Sequence, residues 1–250
     1  MSIINENYLL VINNLTLKLQ NNLILSSVFF KLRKNESIAI LGSSGSGKTT
    51  FLRSIAGFIR KFDNGDIFLD NRLVQSDHIF ESPEKRNCAL LFQDLALWPH
   101  LTVLEHLKLT SYSAYKNNFY NLLEFFHLTE HIHKFPYQLS GGEKQRLAFA
   151  RILIIKPLLV LLDEPFSSVD LVLKSKMIKM LKKLKDKFKF SLLHVTHDVN
   201  EAIYLGDRIV LFNNGKISWD GKTKNFLISK SSILKNIQVA YSCIYENISF

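Results

Sequence analysis

The chain has 250 residues, of which 47% are hydrophobic and 22% charged, enough apolar material to bury the core of one large or two small domains and too much for a disordered chain. Its formal net charge of +10, from 32 Lys and Arg against 22 Asp and Glu, permits phosphates, nucleic acid or an anionic membrane surface as partners without choosing among them. Two cysteines, Cys88 and Cys243, argue against a disulfide framework and fit a reducing cytoplasm; no apolar run reaches the roughly 18 residues of a spanning helix and the N-terminus lacks a leader pattern, so a role at a membrane calls for a separate anchor.

In chain order, the first clear strand is Ile38 to Leu41, followed by the run Gly42-Ser43-Ser44-Gly45-Ser46-Gly47-Lys48-Thr49 and then a helical segment, Thr50 to Ile55. A second apolar strand, Ala89 to Phe92, lies in the run Cys88-Ala89-Leu90-Leu91-Phe92 and ends at Gln93. From Pro99 to Arg151 the β signal disappears; Leu101, Leu104, Leu107, Leu122, Phe126 and Leu139 stand among polar residues at a more helical spacing, which predicts a helical insertion. Leu158 to Leu162 is the third strand and runs into Asp163-Glu164. After Asp170, the positions Leu173, Met177, Leu181, Leu184 and Phe188 recur every three or four residues, with Lys174, Lys176, Lys179, Lys182, Lys183 and Lys185 between them, an amphipathic helix whose lysine face is expected to be solvated. The last strand is Ser191 to Val195. Strands that run into turns and helices predict an α/β protein with a mainly parallel sheet, without internal repeat or Gly/Pro-rich linker.

The glycine-rich run fits the P-loop pattern in full and in context, between a strand and a helix. Its glycines let the backbone wrap phosphates with N–H groups aimed inward, and the helix start adds a dipole that favours negative charge. Lys48 is placed to reach β- and γ-phosphates and the Thr49 hydroxyl to bind Mg²⁺. Asp163 and Glu164 stand at the carboxyl end of a strand, where α/β proteins bind ligands; Asp163 suits the Mg²⁺ shell and Glu164 the polarisation of an attacking water. Between the two motifs, Ser140-Gly141-Gly142 opens a helix and offers a hydroxyl, free backbone N–H groups and a positive dipole end to an anion.

Leu139-Ser140-Gly141-Gly142-Glu143-Lys144-Gln145-Arg146 resembles the signature motif of ABC ATPases, and the resemblance extends over about residues 8 to 228. It implies a P-loop NTPase (RecA-like) core with an N-terminal antiparallel β subdomain and an inserted α-helical signature subdomain near residues 97–152, in a single ABC ATPase domain over 1–250 with a C-terminal tail at 230–250. It implies ATP and Mg²⁺ as cofactors, with Gly42, Ser43, Ser44, Gly45, Ser46, Gly47, Lys48, Thr49 and Thr50 holding the nucleotide and Thr49, Gln93 and Asp163 the metal. Gln93 looks like the glutamine that contacts Mg²⁺ and the attacking water, Glu164 like the catalytic base, and His197 like the switch histidine on the γ-phosphate. Ser167-Ser168-Val169-Asp170 looks like the loop that links two active sites. Each of these residues also has an ordinary reading: a strand-end polar group for Gln93, a helix N-cap for Asp170, a surface histidine for His197.

The family implies a head-to-tail dimer, of two copies or of this chain with a relative, in which Ser140, Gly141 and Gly142 of one subunit complete the other's ATP site. The run Phe92 to Val103 is similar to the segment found in importer ATPases for polyamines, ferric iron, sulfate and maltose; in the family the groove beside this segment receives a helix of the transmembrane permease subunit, which makes Leu97, Trp98 and Pro99 candidates for that contact, with a plain core position as the ordinary reading of Trp98. The expected function is thus an ATP-hydrolysing subunit of an ABC transporter, import preferred, peripheral on the inner face of the cell membrane through the permease, with a solute-binding protein as a further partner. The rival is a soluble ABC ATPase acting on nucleic acid or ribosomes; such proteins usually carry two cassettes or a long coiled-coil insertion, and this sequence has neither. The chain departs from the family near Leu19, where an aromatic usually stacks on adenine; base stacking on an aromatic is worth about 1–3 kcal/mol in nucleic-acid complexes, so ATP as the preferred nucleotide rests on the family.

Overall fold

The chain folds as two sheets with helices around them; the computed structural model describes residues 7–110, 119–167 and 169–228. Strands β1 (Tyr8–Leu19) and β2 (Asn22–Arg33) are joined by Gln20 and Asn21, at φ 47° and 68°. Such a turn matches the twist of an antiparallel hairpin. With β4 (Asn64–Leu69) and β5 (Arg72–Gln75) they form an antiparallel sheet in the order β2-β1-β4-β5. The N-terminal antiparallel unit that the resemblance implies is therefore present.

The second sheet has the order β10-β9-β3-β8-β7-β6, formed by β3 (Ser37–Leu41), β6 (Cys88–Leu91), β7 (Leu159–Asp163), β8 (Ser191–Val195), β9 (Arg208–Asn213) and β10 (Lys216–Lys222). Pairing is parallel from β9 through β6, and only the edge strand β10 is antiparallel. Every residue of β3, β7 and β8 is buried, as expected for strands covered on both faces. The sequence-predicted strands hold to within a residue or two at their ends; Phe92 lies just past β6, so Gln93 stands in the turn beyond it.

Between the two sheets, α1 (Lys48–Ala56) buries Phe51, Leu52 and Ile55 among Leu10, Ile12, Phe30, Ile40, Leu161 and Phe212. The region read as a helical insertion contains α2 (Val103–Thr110), α3 (Phe119–Phe125) and α4 (Gly141–Leu153). Their Leu107, Leu123 and Phe149 share one core with Leu91, Val160 and Leu162 of the parallel sheet. The helix α5 (Leu171–Phe188) buries Met177, Leu181 and Leu184 as its periodicity predicts. Its lysine face is not uniformly solvated: Lys174 is only 13% exposed and ion-paired. Two short helices, α6 (Val199–Leu205) and α7 (Thr223–Ile228), complete the chain as described. Among the described residues no helix is long and apolar enough to cross a membrane. Ser168, Cys243 and the tail at 230–250 lie outside the described residues.

Candidate active site

The ends of β3, β6, β7 and β8 bring together four segments that are far apart in sequence, since β8 sits between β3 and β7, and β6 beside β7. After β3, the loop 42–47 turns tightly: the Ser46 N–H donates to Ser43 O at 3.2 Å, and the Phe51 N–H to Gly47 O at 2.8 Å as α1 begins. Gly47, at φ 101°, is the N-cap, and a Cβ there would lie 2.9 Å from Ile24 O. Any L side chain at this position would be strained by its backbone and blocked by β2. Gly42 is confined as well, since a Cβ would lie 2.4 Å from Phe212 O.

Lys48 is buried, and its Nζ donates to Gly42 O at 2.8 Å and Ser43 O at 2.7 Å. Burial pulls this ammonium below its ordinary range, against the opposing pull of Glu164 and Asp163. A desolvated cation whose close partners are neutral carbonyls fits an anionic ligand. Ser43, Ser44, Gly45 and Ser46 line the rest of the loop, with Ser44 and Gly45 exposed; Thr50, inside α1, accepts from Ser54 Oγ at 2.8 Å through its carbonyl.

Thr49 Oγ1 donates to Asp163 Oδ1 at 2.9 Å. Burial raises the Asp163 carboxyl above its ordinary range, which the Thr49 bond, Arg53 and Lys48 partly counter and Glu164 reinforces. An oxygen-only pair of hydroxyl and desolvated carboxylate suits Mg²⁺, which binds through one or two carboxylates and substrate phosphates. Thr49 and Asp163 line a cleft of ≈ 700 Å³ with Arg53, Phe92, Gln93, Asp94 and Ala96.

Glu164 follows β7 with φ 46°, in the left-handed region of the backbone. Its N–H donates to Val195 O at 3.1 Å, and its Oε2 lies 3.4 Å from Nδ1 of His197. His197 is exposed, in the turn after β8. Gln93 Nε2 donates to Ser167 Oγ at 3.2 Å, and that hydroxyl donates to Glu164 O at 3.1 Å, so the segments after β6 and β7 are in contact.

Two predicted groups stand apart from this constellation. Ser140 caps α4: its Oγ accepts from the Glu143 N–H at 3.4 Å and its N–H donates to Glu143 Oε2 at 2.8 Å. Ser140, Gly141 and Gly142 do not line the cleft of Thr49 and Asp163. Asp170 caps α5, its Oδ1 accepting from the Val172 and Leu173 N–H groups at 3.1 and 2.9 Å, so the ordinary reading describes its contacts within one chain.

Residues that the sequence did not single out hold the site in place. Arg151, buried on α4, donates to Leu95 O at 2.7 Å and to Ala96 O, clamping the turn that follows Gln93, where both residues have positive φ. The same guanidinium lies 5.0 Å from the Trp98 ring centre, and the Trp98 N–H donates to His106 Nε2 at 2.9 Å. Gln145 of α4 donates through Nε2 to Pro165 O, immediately beyond Glu164. The signal available was a charged or amide residue inside an apolar helix face, which periodicity alone reads as a break in the pattern.

The family model described as "ABC transporter" matches residues 25–167, more than half of the chain. The spermidine/putrescine import ATP-binding protein PotA of Thermotoga maritima is 41% identical over 200 residues, covering 78% of this chain and 53% of that protein. The molybdate/tungstate import ATP-binding protein WtpC of Pyrococcus horikoshii is 38% identical over 230 residues, 90% of this chain and 64% of its own length. The chain thus spans between about half and two thirds of these relatives. Among solved structures, a dimeric ATP-binding cassette in a post-hydrolysis state bound to ADP and Pi is similar at a TM-score of 0.73 and 28% identity, over 86% of this chain and 98% of that one. The cbiO1 protein of Clostridium perfringens, at TM-score 0.78 and 21% identity over 98% of this chain and 100% of that one, has the same fold.

Proposed function

The chain belongs to the ABC transporter family, and from that premise we propose that it is the ATP-binding and ATP-hydrolysing subunit of an importer, working as a pair of such subunits beneath a separate permease. The observation that carries the reading is the meeting of Lys48, Thr49, Asp163, Glu164, His197 and Gln93 at the carboxyl ends of neighbouring strands, with Thr49 and Asp163 2.9 Å apart and Glu164 and His197 3.4 Å apart.

The backbone of residues 42–49 wraps the phosphates, Lys48 exchanges its two carbonyl partners for phosphate oxygens, and Thr50 extends the cradle at the start of α1. Thr49, Asp163 and Gln93 hold Mg²⁺, which neutralises the phosphate charge. Glu164 accepts a proton from the attacking water while His197 donates to the γ-phosphate. Ser140, Gly141 and Gly142 of one subunit cover the phosphates held by the other, which accounts for their distance from this chain's own cleft. Asp170 stands in the segment between the two sites. Leu97, Trp98 and Pro99 face the permease, with the Trp98 ring braced by Arg151. The subunit sits on the cytoplasmic face of the membrane through that permease, and the import names of its relatives favour a solute-binding protein as the outer partner.

The test is Mg²⁺-dependent phosphate release by the full chain with its co-purified membrane partner. Glu164→Gln should bind ATP and release almost no phosphate, and Lys48→Ala should lose nucleotide binding. Near-normal turnover in the first or retained affinity in the second would overturn these assignments.

A further inference from the structure

Behind His197, away from the cleft, lies a group of charges that the hydrolysis chemistry does not use. Lys174, one turn into α5 and 13% exposed, donates from Nζ to Asp198 Oδ2 at 2.7 Å and lies 3.1 Å from Glu201 Oε2. The other oxygen of Asp198 is already engaged: Oδ1 caps α6 by accepting from the Asn200 and Glu201 N–H groups at 2.8 and 3.3 Å. Glu201 is 3% exposed, and its Oε1 faces His194 Nε2 at 3.5 Å. Burial disfavours all these charges, but their mutual contacts outweigh it, leaving Lys174 above and Asp198 and Glu201 below their ordinary ranges.

Asp198 is the residue after His197, and its N–H donates to Thr196 Oγ1 at 3.0 Å, while the Thr196 N–H is fixed to Ile40 O at 3.1 Å. His197 is thus the exposed middle of a turn pinned on one side by the sheet and on the other by Lys174. The helix turn that carries Lys174 is itself placed by the segment after Glu164. The Lys174 N–H donates to Asp170 O at 2.8 Å, and the neighbouring Leu173 packs on α4 so closely that a Cβ on Gly142 would meet its Cδ1 at 3.1 Å. One residue of α5 therefore touches the turn of His197 while its neighbours touch the Ser140–Gly142 turn and the 169–170 segment.

We propose that Lys174 is a positioning residue that couples the start of α5, and with it the 169–170 segment and the Ser140–Gly142 turn, to the placement of His197 against the reacting phosphate. The inference rests on the hydrolytic reading of the site. A buried ion cluster of this kind adds little net stability over apolar packing, whereas it fixes one geometry, and a small misplacement of a catalytic group costs far more in rate than in binding.

The experiment compares the full chain with Lys174→Met, Lys174→Arg and Asp198→Asn, each also in a His197→Ala background, by steady-state and single-turnover phosphate release. Lys174→Met should lower kcat about tenfold with KM for ATP within about twofold, Lys174→Arg should restore most of the rate, and Lys174→Met should slow the His197→Ala protein no further. Asp198→Asn retains the cap on α6 and serves where Lys174→Met folds poorly; it should reproduce both the kcat loss and the non-additivity. Multiplicative losses with His197→Ala, or a normal kcat in either single variant, would overturn the coupling. Amide exchange gives a readout independent of turnover: Lys174→Met should speed exchange at residues 197–201 but not in β3 or β7, and unchanged exchange there overturns the proposal. A wild-type chain that hydrolyses no ATP would instead fail the functional reading itself, while the exchange result still decides whether Lys174 holds the turn.

Discussion

Ser140→Ala separates the capping role of this hydroxyl from the phosphate role proposed for it. As an N-cap, Ser140 accepts from the Glu143 N–H at 3.4 Å, longer than a good N–H···O bond, while the reciprocal 2.8 Å bond from its own N–H to Glu143 Oε2 survives in the variant. Loss of an N-cap costs about 0.5–2 kcal/mol, and the long bond places this one near the low end, about 0.5 kcal/mol. For a chain of this size that lowers Tm by only about 1–2 °C. If the hydroxyl also donates to phosphate charge across a dimer, turnover should fall by about 10²–10³, the cost of removing one such preorganised donor. Thermal melting and phosphate release on the same preparation read the two effects separately. A fall in rate under about threefold would remove Ser140 from the phosphate role, and a Tm drop above about 6 °C would assign it to the fold.

Two further outcomes follow from the same geometry. In a 1:1 mixture of Lys48→Ala and Ser140→Ala proteins, each mixed dimer holds one doubly impaired and one intact composite site, so activity should recover toward about a quarter of wild type. No recovery would refute shared sites that work independently. Burial pushes the Cys88 thiol up to about 12 from 9.0, so it should resist alkylation at pH 8 in the folded Cys243→Ser protein and react only on unfolding. Because the folded state keeps the proton that the unfolded state loses, Cys88 contributes stability that declines as pH rises from 9.0 toward about 12; rapid labelling of the native thiol would contradict this burial.

The parallel sheet and the phosphate loop were legible because their signals are local. Strands β3, β7 and β8 are short apolar runs buried at every position, and the loop's glycines and lysine lie in one stretch of chain. The antiparallel sheet was visible only through family resemblance. Leu9, Leu10, Val11 and Ile12 of β1 are all buried, so the strand shows no alternation to read. Lys174 and Arg151 escaped for a different reason: Asp198 is 24 residues from Lys174, Ala96 and Leu95 are 55 and 56 residues from Arg151, and a charge at helical spacing looks the same whether it meets water or a partner from another segment. Asp170 shows the converse. Its capping bonds satisfy the ordinary reading completely, while its place before α5 keeps it beside the Lys174 turn.

Asp163 and Glu164 are adjacent carboxylates with different surroundings, and the backbone makes them so. Asp163 ends β7 in extended geometry facing Thr49, whereas Glu164 at φ 46° is held in the left-handed region by the bond from its N–H to Val195 O and by Ser167 N–H on its carbonyl at 3.3 Å. That conformation costs a non-glycine residue about 1–2 kcal/mol, and the Glu164 side chain that leaves this turn lies 3.4 Å from His197. Asn tolerates the left-handed region better than Glu, so Glu164→Asn should raise stability by up to about 1 kcal/mol while abolishing hydrolysis. Glu164→Gln, which keeps the strain, should lose hydrolysis without that gain. The exposed pairing with His197, whose side chain is 54% exposed, contributes too little to reverse the sign. Urea midpoints for the two variants decide it: an Asn variant less stable than the Gln variant would mean that the turn is the relaxed local preference of this segment, and that the strain is not a cost carried for catalysis.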